Sequence, residues 1–273
     1  MAGVVQTAKP VATGVKESLR AHNTTLVAAG VAFYGFLAFI PSLIAVVSIY
    51  GLVADPNDVK KQVTKIAGAL PDEVQAFLRF QLTSIVDANR AGVSLTLAVS
   101  IIIALWSASG GMGALVTGLH VAHEKDEPKS FVAKKGKALA LTLGAIVVVS
   151  VVVFLVAALP ALVDNIFGEG SKTLVNLVRW PILAVVMVGS IGLLYRFSVG
   201  QEGKWLGVVS PGALVAAALW LVLSIGFAFY AANFSTYAKT YGTLATIVVL
   251  LLWLWLSALG VLIGAEVDAT MPT

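Results

Sequence analysis

The 273-residue chain contains no cysteine. That absence excludes disulfides, thiolate metal sites and a cysteine nucleophile, and it leaves the compartment open. Charge is also scarce: Asp, Glu, Lys and Arg make up 12% of the residues, about half of the roughly 25% usual in a soluble domain. Histidine occurs only at His22, His120 and His123, which does not suffice for a metal centre without further ligands. There is no phosphate-binding glycine loop, no Gly-x-Ser-x-Gly turn and no paired-carboxylate cluster for hydrolysis. These absences imply no enzyme, no cofactor and no bound metal.

What the chain has instead is apolar residues, 59% of the total. Uncharged runs of the length needed to cross a bilayer as a helix, about 20 residues, recur along it. The pattern predicts helix 1 over Leu26–Tyr50, helix 2 over Val93–Leu119, helix 3 over Ala138–Val163, helix 4 over Trp180–Tyr195, helix 5 over Trp205–Ala232 and helix 6 over Gly242–Ala265. The runs are continuous rather than alternating, so they read as helices and not as barrel strands. The expected fold is all-α, a polytopic membrane protein with about six transmembrane helices. The first run is about twice the length of a signal-peptide core and lacks a small-residue cleavage site, so it reads as a retained helix. Residues 1–25 form an N-terminal segment, 26–266 one membrane domain and 267–273 a short tail.

Lysine and arginine set the orientation, because acidic residues contribute little to it. Ten lie on the side of the N-terminus and the helix 2–3 and helix 4–5 connections, against eight on the other. Five of those eight sit in the long segment Gly51–Ala91, whereas the helix 2–3 connection concentrates Lys125, Lys129, Lys134, Lys135 and Lys137 in a short stretch. Both termini are therefore expected in the cytoplasm. The three lysines before helix 3 are also placed to meet anionic headgroups.

Gly51–Ala91 reads as two amphipathic helices on the outer surface. Asp55-Pro56 opens the first, with Val59, Val63, Ile66 and Leu70 at helical spacing; Pro71 opens the second, with Val74, Phe77, Leu78, Leu82 and Ile85 on one face. They serve either as a cap on the bundle or as a lid or lipid-entry element. Tyr230, Phe234, Tyr237 and Tyr241 bracket the helix 5–6 turn and fit an interfacial aromatic belt.

Within the spans, Trp106-Ser107-Ala108-Ser109-Gly110-Gly111-Met112-Gly113 gathers small residues that allow close helix approach, with Gly110 and Gly113 as packing candidates; Gly260 and Gly264 repeat this in helix 6. The same spacing suits a homo-oligomer as well as packing within one chain. Pro41 and Pro211 each remove a backbone hydrogen bond, as a packing feature or as a gate. Glu266, followed by Asp268, directly succeeds the apolar run of helix 6. A carboxylate there is costly and reads either as an ion pair with a neighbour such as Arg196 or Arg20, or as a substrate or proton group. His120 and His123 read as a solvated helix end.

Several stretches together resemble the YihY/BrkB family of bacterial inner-membrane proteins. They are Ala28-Ala29-Gly30-Val31-Ala32-Phe33-Tyr34 with Pro41, then Trp106-Ser107-Ala108-Ser109, Leu194-Tyr195-Arg196, Pro211-Gly212-Ala213, Tyr241-Gly242-Thr243-Leu244-Ala245, Trp253-Leu254-Trp255 and Leu262-Ile263-Gly264-Ala265-Glu266. The chain departs from the family at His120-Val121-Ala122-His123, where an Asn-Arg-Ala-Tyr-like stretch is usual, and at Val199, near the place of a proline. The resemblance implies six helices with both termini inside. It also carries an old ribonuclease label, which the lack of acid–base or metal-binding groups does not support.

The leading functional expectation is translocation of a lipid or other amphiphile, flippase- or scramblase-like, with membrane lipids as partners and no nucleic acid. Tyr34, Trp106, Ser107, Ser109 and Tyr195 would line a path, with Glu266 and Arg196 at its cytoplasmic mouth. The alternative is a scaffold that docks envelope partner proteins through the outer amphipathic pair; a ribonuclease comes third.

Overall fold

Apolar runs in a bilayer must satisfy their backbone groups within the segment, and helices do so. The computed structural model describes residues 13–53, 95–128, 130–158, 171–200, 209–233 and 243–271. Six long helices carry them: α1 Thr24–Val53, α2 Leu95–Ala122, α3 Phe131–Val153, α4 Ser171–Val199, α5 Pro211–Asn233 and α6 Thr243–Thr270. A shorter helical stretch at 13–21 precedes α1, and α3 ends in a π-helical turn, Phe154–Ala158. No strand occurs among the described residues. Five helices, α2 to α6, hold apolar stretches long enough to cross a membrane, and α1 carries the apolar stretch Thr24–Phe39. The chain is thus an all-helical polytopic membrane protein. The expected outer amphipathic pair and Phe234, Tyr237 and Tyr241 lie outside the described residues.

Four helix boundaries differ from those expected, for local reasons. Helix α3 starts at Phe131, not Ala138. Lys134, Lys135 and Lys137 therefore occupy its first turns rather than a loop, with flexible stems that carry the ammonium groups to acceptors on neighbouring segments. Helix α4 begins at Ser171 and contains Pro181. Helix α5 begins at Pro211 rather than Trp205. Proline is suited to the first helical position because its missing N–H has no intrahelical acceptor there, so Pro211 needs no gating role. Helix α6 continues to Thr270, which places Glu266 and Asp268 inside the helix and not after it.

The helices α1, α2, α5 and α6 form the tightest part of the bundle, with α6 packed on both α5 and α1. Small side chains make this possible: Ala28, Ala213, Ala216 and Ala265 are fully buried beside Leu119, Leu262 and Tyr195. Two crossings approach so closely that no side chain fits. A Cβ on Gly264 would lie 2.4 Å from the Gly212 carbonyl oxygen, and one on Gly111 would lie 2.9 Å from Ala38 Cβ. Indole N–H groups tie the same helices together, Trp220 to Ser257 Oγ at 3.1 Å and Trp255 to the Thr25 carbonyl at 3.1 Å.

Candidate functional site

One end of the bundle gathers the starts of α1, α3 and α5 and the ends of α2, α4 and α6, and polar side chains cluster there. The chain arrives through the helical stretch 13–21 and turns at Asn23, whose φ of 49° lies in the left-handed region that Asn tolerates. That turn presents His22 and Thr24 to the inner face of α6. Glu266, 1% exposed, accepts there from His22 Nδ1 at 2.9 Å and from Thr24 Oγ1 at 3.1 Å, both on Oε1. The partner of Glu266 is thus a histidine from the N-terminal turn, not Arg196 or Arg20. Arg196 forms no ion pair among the described residues. His22 Nε2 also lies 3.5 Å from Glu124 Oε1, a carboxylate 80% exposed.

Helix α2 ends in a Schellman motif. The Lys125 N–H donates to the His120 carbonyl, and the Glu124 N–H to the Val121 carbonyl. Glu124 takes the left-handed position, φ 51°, where glycine is usual. Lys125 Nζ reaches the Val199 carbonyl at 3.0 Å and Lys137 Nζ the Ser198 carbonyl at 3.0 Å, so two ammonium groups cap the end of α4.

His120 in α2 and His123 just beyond its end are packed inward rather than solvated. His120 is buried and its Nδ1 donates to the Val116 carbonyl at 2.8 Å; His123 Nδ1 donates to the Leu119 carbonyl at 3.0 Å. With Nδ1–H committed, Nε2 of a neutral ring is an acceptor. His123 stacks edge-on against Tyr195, their ring centroids 6.3 Å apart. Burial holds its imidazole below the usual value of 6.5, although Asp268 and Glu266 act in the opposite sense. Tyr195, 1% exposed, donates its hydroxyl to the Val261 carbonyl.

Asp268 belongs to the start of α5. Its Oδ1 accepts from the Gly212 N–H at 2.7 Å and its Oδ2 from Ser210 Oγ at 2.5 Å, while Ser210 Oγ accepts from the Ala213 N–H at 3.0 Å. Ser210 is the N-cap and Asp268 adds a negative charge at the positive end of the helix dipole. Against this full satisfaction, three buried side-chain atoms have no partner among the described residues: Glu266 Oε2, His123 Nε2 and Ser198 Oγ. A buried acceptor left unmade costs roughly 1–3 kcal/mol.

The second feature is an open groove between α1 and α2 with a volume of about 380 Å³, lined by Val27, Gly30, Val31, Tyr34, Gly110, Ala114, Thr117 and Gly118. Gly30 and Gly110 border open space, since an added Cβ would meet nothing within 4 Å at either. Tyr34, 52% exposed, stands against Phe33 in an edge-on pair, ring centroids 5.6 Å apart. Near Thr117, at the polar end, Glu127 accepts from Lys134 Nζ. That ammonium group is the main reason the Glu127 carboxyl sits below its usual range, with Thr117 next.

The structure brings together Glu266 and Tyr195 at the polar end of the bundle, and Tyr34 with Gly110 in the groove. It does not join all the sequence candidates into one path. Ser109 is buried and donates to the Trp106 carbonyl at 2.7 Å. Ser107 is exposed and Trp106 is 48% exposed; Lys135 Nζ lies 4.4 Å from the Trp106 ring centroid and donates to the same carbonyl at 2.7 Å. Among the packing candidates, Gly264 makes a close crossing, Gly260 meets Leu223, Trp220 and Leu219 at ordinary contact distance, and Gly113 meets Ala138 Cβ at 3.8 Å. Of the adjacent pair in α2, the tight position is Gly111, not Gly110. His22, Thr24, His123 and Gly212 escaped the sequence reading of the site; only Asn23-Thr24 before the first apolar run signalled a cap.

Comparison with known proteins gives a consistent picture. Over 256 residues the chain is 28% identical to "Putative ribonuclease-like protein YfkH" of Bacillus subtilis (strain 168), covering 92% of this chain and 90% of that one. Over 259 residues it is 24% identical to a UPF0761 membrane protein of Rhodospirillum centenum, covering 92% of this chain but 55% of the relative. A UPF0761 membrane protein of Xanthomonas campestris pv. campestris (strain B100) is 43% identical over 81 residues, 30% of this chain and 19% of that protein. The chain therefore spans about half or less of these two UPF0761 relatives. No solved structure matches. The family model described as "Virulence factor BrkB" matches residues 15–273, and with six apolar helices ending in the Gly264-Ala265-Glu266 crossing the chain belongs to the BrkB family of membrane proteins.

Proposed function

We propose that this chain binds a lipid or similar amphiphile in the groove between α1 and α2 and passes it across the membrane, with its polar end of the bundle on the cytoplasmic side of a bacterial inner membrane. The observation that carries this reading is the pair Gly30 and Gly110. Glycine inside a helix costs about 1 kcal/mol relative to alanine. In a membrane helix it is usually offset by close packing; a Cβ would meet nothing within 4 Å at these two positions, as at Gly35, Gly136, Gly144, Gly189 and Gly226, but of these glycines only Gly30 and Gly110 line the groove. Their effect is to keep the groove open along Val31, Ala114 and Tyr34. The groove is lined mostly by apolar residues and reaches Thr117, near which the Glu127–Lys134 pair lies, an arrangement that suits an acyl chain with a headgroup.

The test is headgroup translocation of fluorescent phospholipids in proteoliposomes. Wild type is expected to move lipid faster than empty liposomes, and Gly110→Leu, whose Cβ enters open space in the groove, is expected to abolish most of that excess. Movement unaffected by Gly110→Leu and Gly30→Leu would remove the groove from the mechanism. No movement with any anionic or zwitterionic lipid would end the translocation reading.

A further inference from the structure

We infer that Lys135 and Trp106 form a binding site for the phosphate of an anionic phospholipid on the α2–α3 face of the bundle. The three lysines at the start of α3 are not equivalent. Lys134 donates to the Glu127 carboxylate, and Lys137 to the Ser198 carbonyl at the end of α4. Lys135 has no carboxylate, since the ion pairs among the described residues join His22 to Glu124 and Glu266, and Lys134 to Glu127. Its ammonium lies 4.4 Å from the centroid of the Trp106 ring and gives one hydrogen bond, at 2.7 Å, to the Trp106 carbonyl, which already accepts from Ser109 Oγ. An ammonium has three donors, so two are left over. The Trp106 indole N–H also has no acceptor among the described residues, unlike those of Trp220 and Trp255, which bond Ser257 and the Thr25 carbonyl. Unspent donors of both side chains thus stand beside one another on a ring that is half exposed.

Both residues lie within apolar spans, Ile101–Ala122 and Phe131–Val156, where an unpaired charge is costly and calls for a partner. The ring face and the carbonyl oxygen offer only partial negative charge, so the ammonium still lacks a counterion. The surroundings decide where that counterion comes from. Ile102 and Ile103, one turn before Trp106 in α2, are exposed, and so is Phe131, one turn before Lys135 on the same face of α3. Free phosphate gains nothing from apolar walls, whereas a phospholipid covers them with its acyl chains while its phosphate meets the donors. A headgroup of net negative charge fits best, because a zwitterionic one carries its own cation beside the phosphate. The patch is distinct from the groove between α1 and α2: Gly113, seven positions after Trp106, meets Ala138, three positions after Lys135, so this side of α2 faces α3.

Native mass spectrometry of the purified, delipidated full-length chain, titrated with phosphatidylglycerol or with phosphatidylcholine of the same acyl chains, reads the site as lipid adducts. Wild type is expected to bind phosphatidylglycerol about fivefold more tightly, the ordinary worth of one lysine beside an anionic lipid surface. Lys135→Met keeps the apolar stem, removes the charge and is expected to abolish the preference. Lys135→Arg is expected to retain it, Lys134→Met to leave it unchanged, and Trp106→Phe, which deletes the indole N–H, to reduce it. Equal binding of the two lipids by wild type, or a preference that survives Lys135→Met, would overturn the site. Equal loss in Lys134→Met and Lys135→Met would replace it with a diffuse basic surface. Displacement of phosphatidylglycerol by inorganic phosphate would overturn the lipid as the ligand. The readout is binding on the α2–α3 face and requires neither the groove nor translocation, so failure here and failure of the lipid-movement reading are distinguishable.

Discussion

A carboxylate inside an apolar helix is tolerated where donors reach it, and at Glu266 those donors come from a turn that precedes the first span. Thr24→Val keeps the shape of the side chain and deletes one donor to Oε1. The expected loss is about 1.5–3 kcal/mol, the range for hydrogen bonds to charged groups, read as a lower apparent Tm in detergent, with Thr24→Ser retaining most of the stability. His123 supplies a pH dependence of definite sign. Its folded-state value is depressed by burial, so the folded chain binds fewer protons there than the unfolded one. Stability from this group is complete above the usual 6.5 and declines as pH falls below it toward the depressed value. His123→Gln is expected to flatten that acid decline in Tm measured against pH; an unchanged profile would remove His123 as its source. Little of this was legible in the sequence. Glu266 announced itself as an acid after an apolar run, but its partner is His22, 244 positions earlier in the chain, brought to it by the left-handed turn at Asn23. Likewise His120 and His123 look like a solvated end, although His120 is buried and α4 packs Tyr195 against His123.

Helix ends and helix crossings follow different rules, and the glycines separate them. In α2, Gly110 and Gly111 are adjacent but face open groove and α1 respectively, because successive helical residues point about 100° apart. Gly111→Leu would drive a side chain into Ala38 and the Gly35 backbone, an overpacking expected to cost about 1–3 kcal/mol or more. Gly110→Leu is expected to leave stability within ~1 kcal/mol of wild type or above it, since its Cβ meets no atom within 4 Å and leucine improves helix propensity. Equal destabilisation by the two would show that the groove is not open. At the end of α2, Glu124 holds a left-handed conformation that costs a non-glycine residue roughly 1–2 kcal/mol. Its carboxylate is 80% exposed, and its 3.5 Å contact with His22 returns at most about 1 kcal/mol, so Glu124→Gly is expected to raise Tm slightly. The apolar runs were enough to find all six helices, since length and the lack of charge decide spanning. Their ends were not, because Lys134, Lys135 and Lys137 read as loop although each finds an acceptor from the first turns of α3, and because the packing partner that singles out Gly111 over Gly110 lies in another helix.

At the scale of the molecule, the polar groups sort to one end of the bundle while the helices between are held by alanine and glycine contacts. That end holds His22 before α1, Lys125 and Glu127 between α2 and α3, and Ser210 at the start of α5. Up-and-down threading of six spans puts all three segments on the same face of the membrane, and the lysine and arginine distribution predicts that this face is cytoplasmic. A chain without cysteine allows a direct check, because each introduced cysteine is the sole thiol. Lys16→Cys and Asp126→Cys occupy exposed positions on the polar end. In intact cells or sealed spheroplasts a membrane-impermeant maleimide is expected to spare both, and to label both once the membrane is opened. Labelling of both before opening would invert the orientation and put Glu266 and the polar end of the groove on the outer side, so that lipid would enter from the opposite leaflet. Labelling of one alone would break the six-span threading itself, since an even number of crossings separates the two positions and only an odd number can place them on opposite sides.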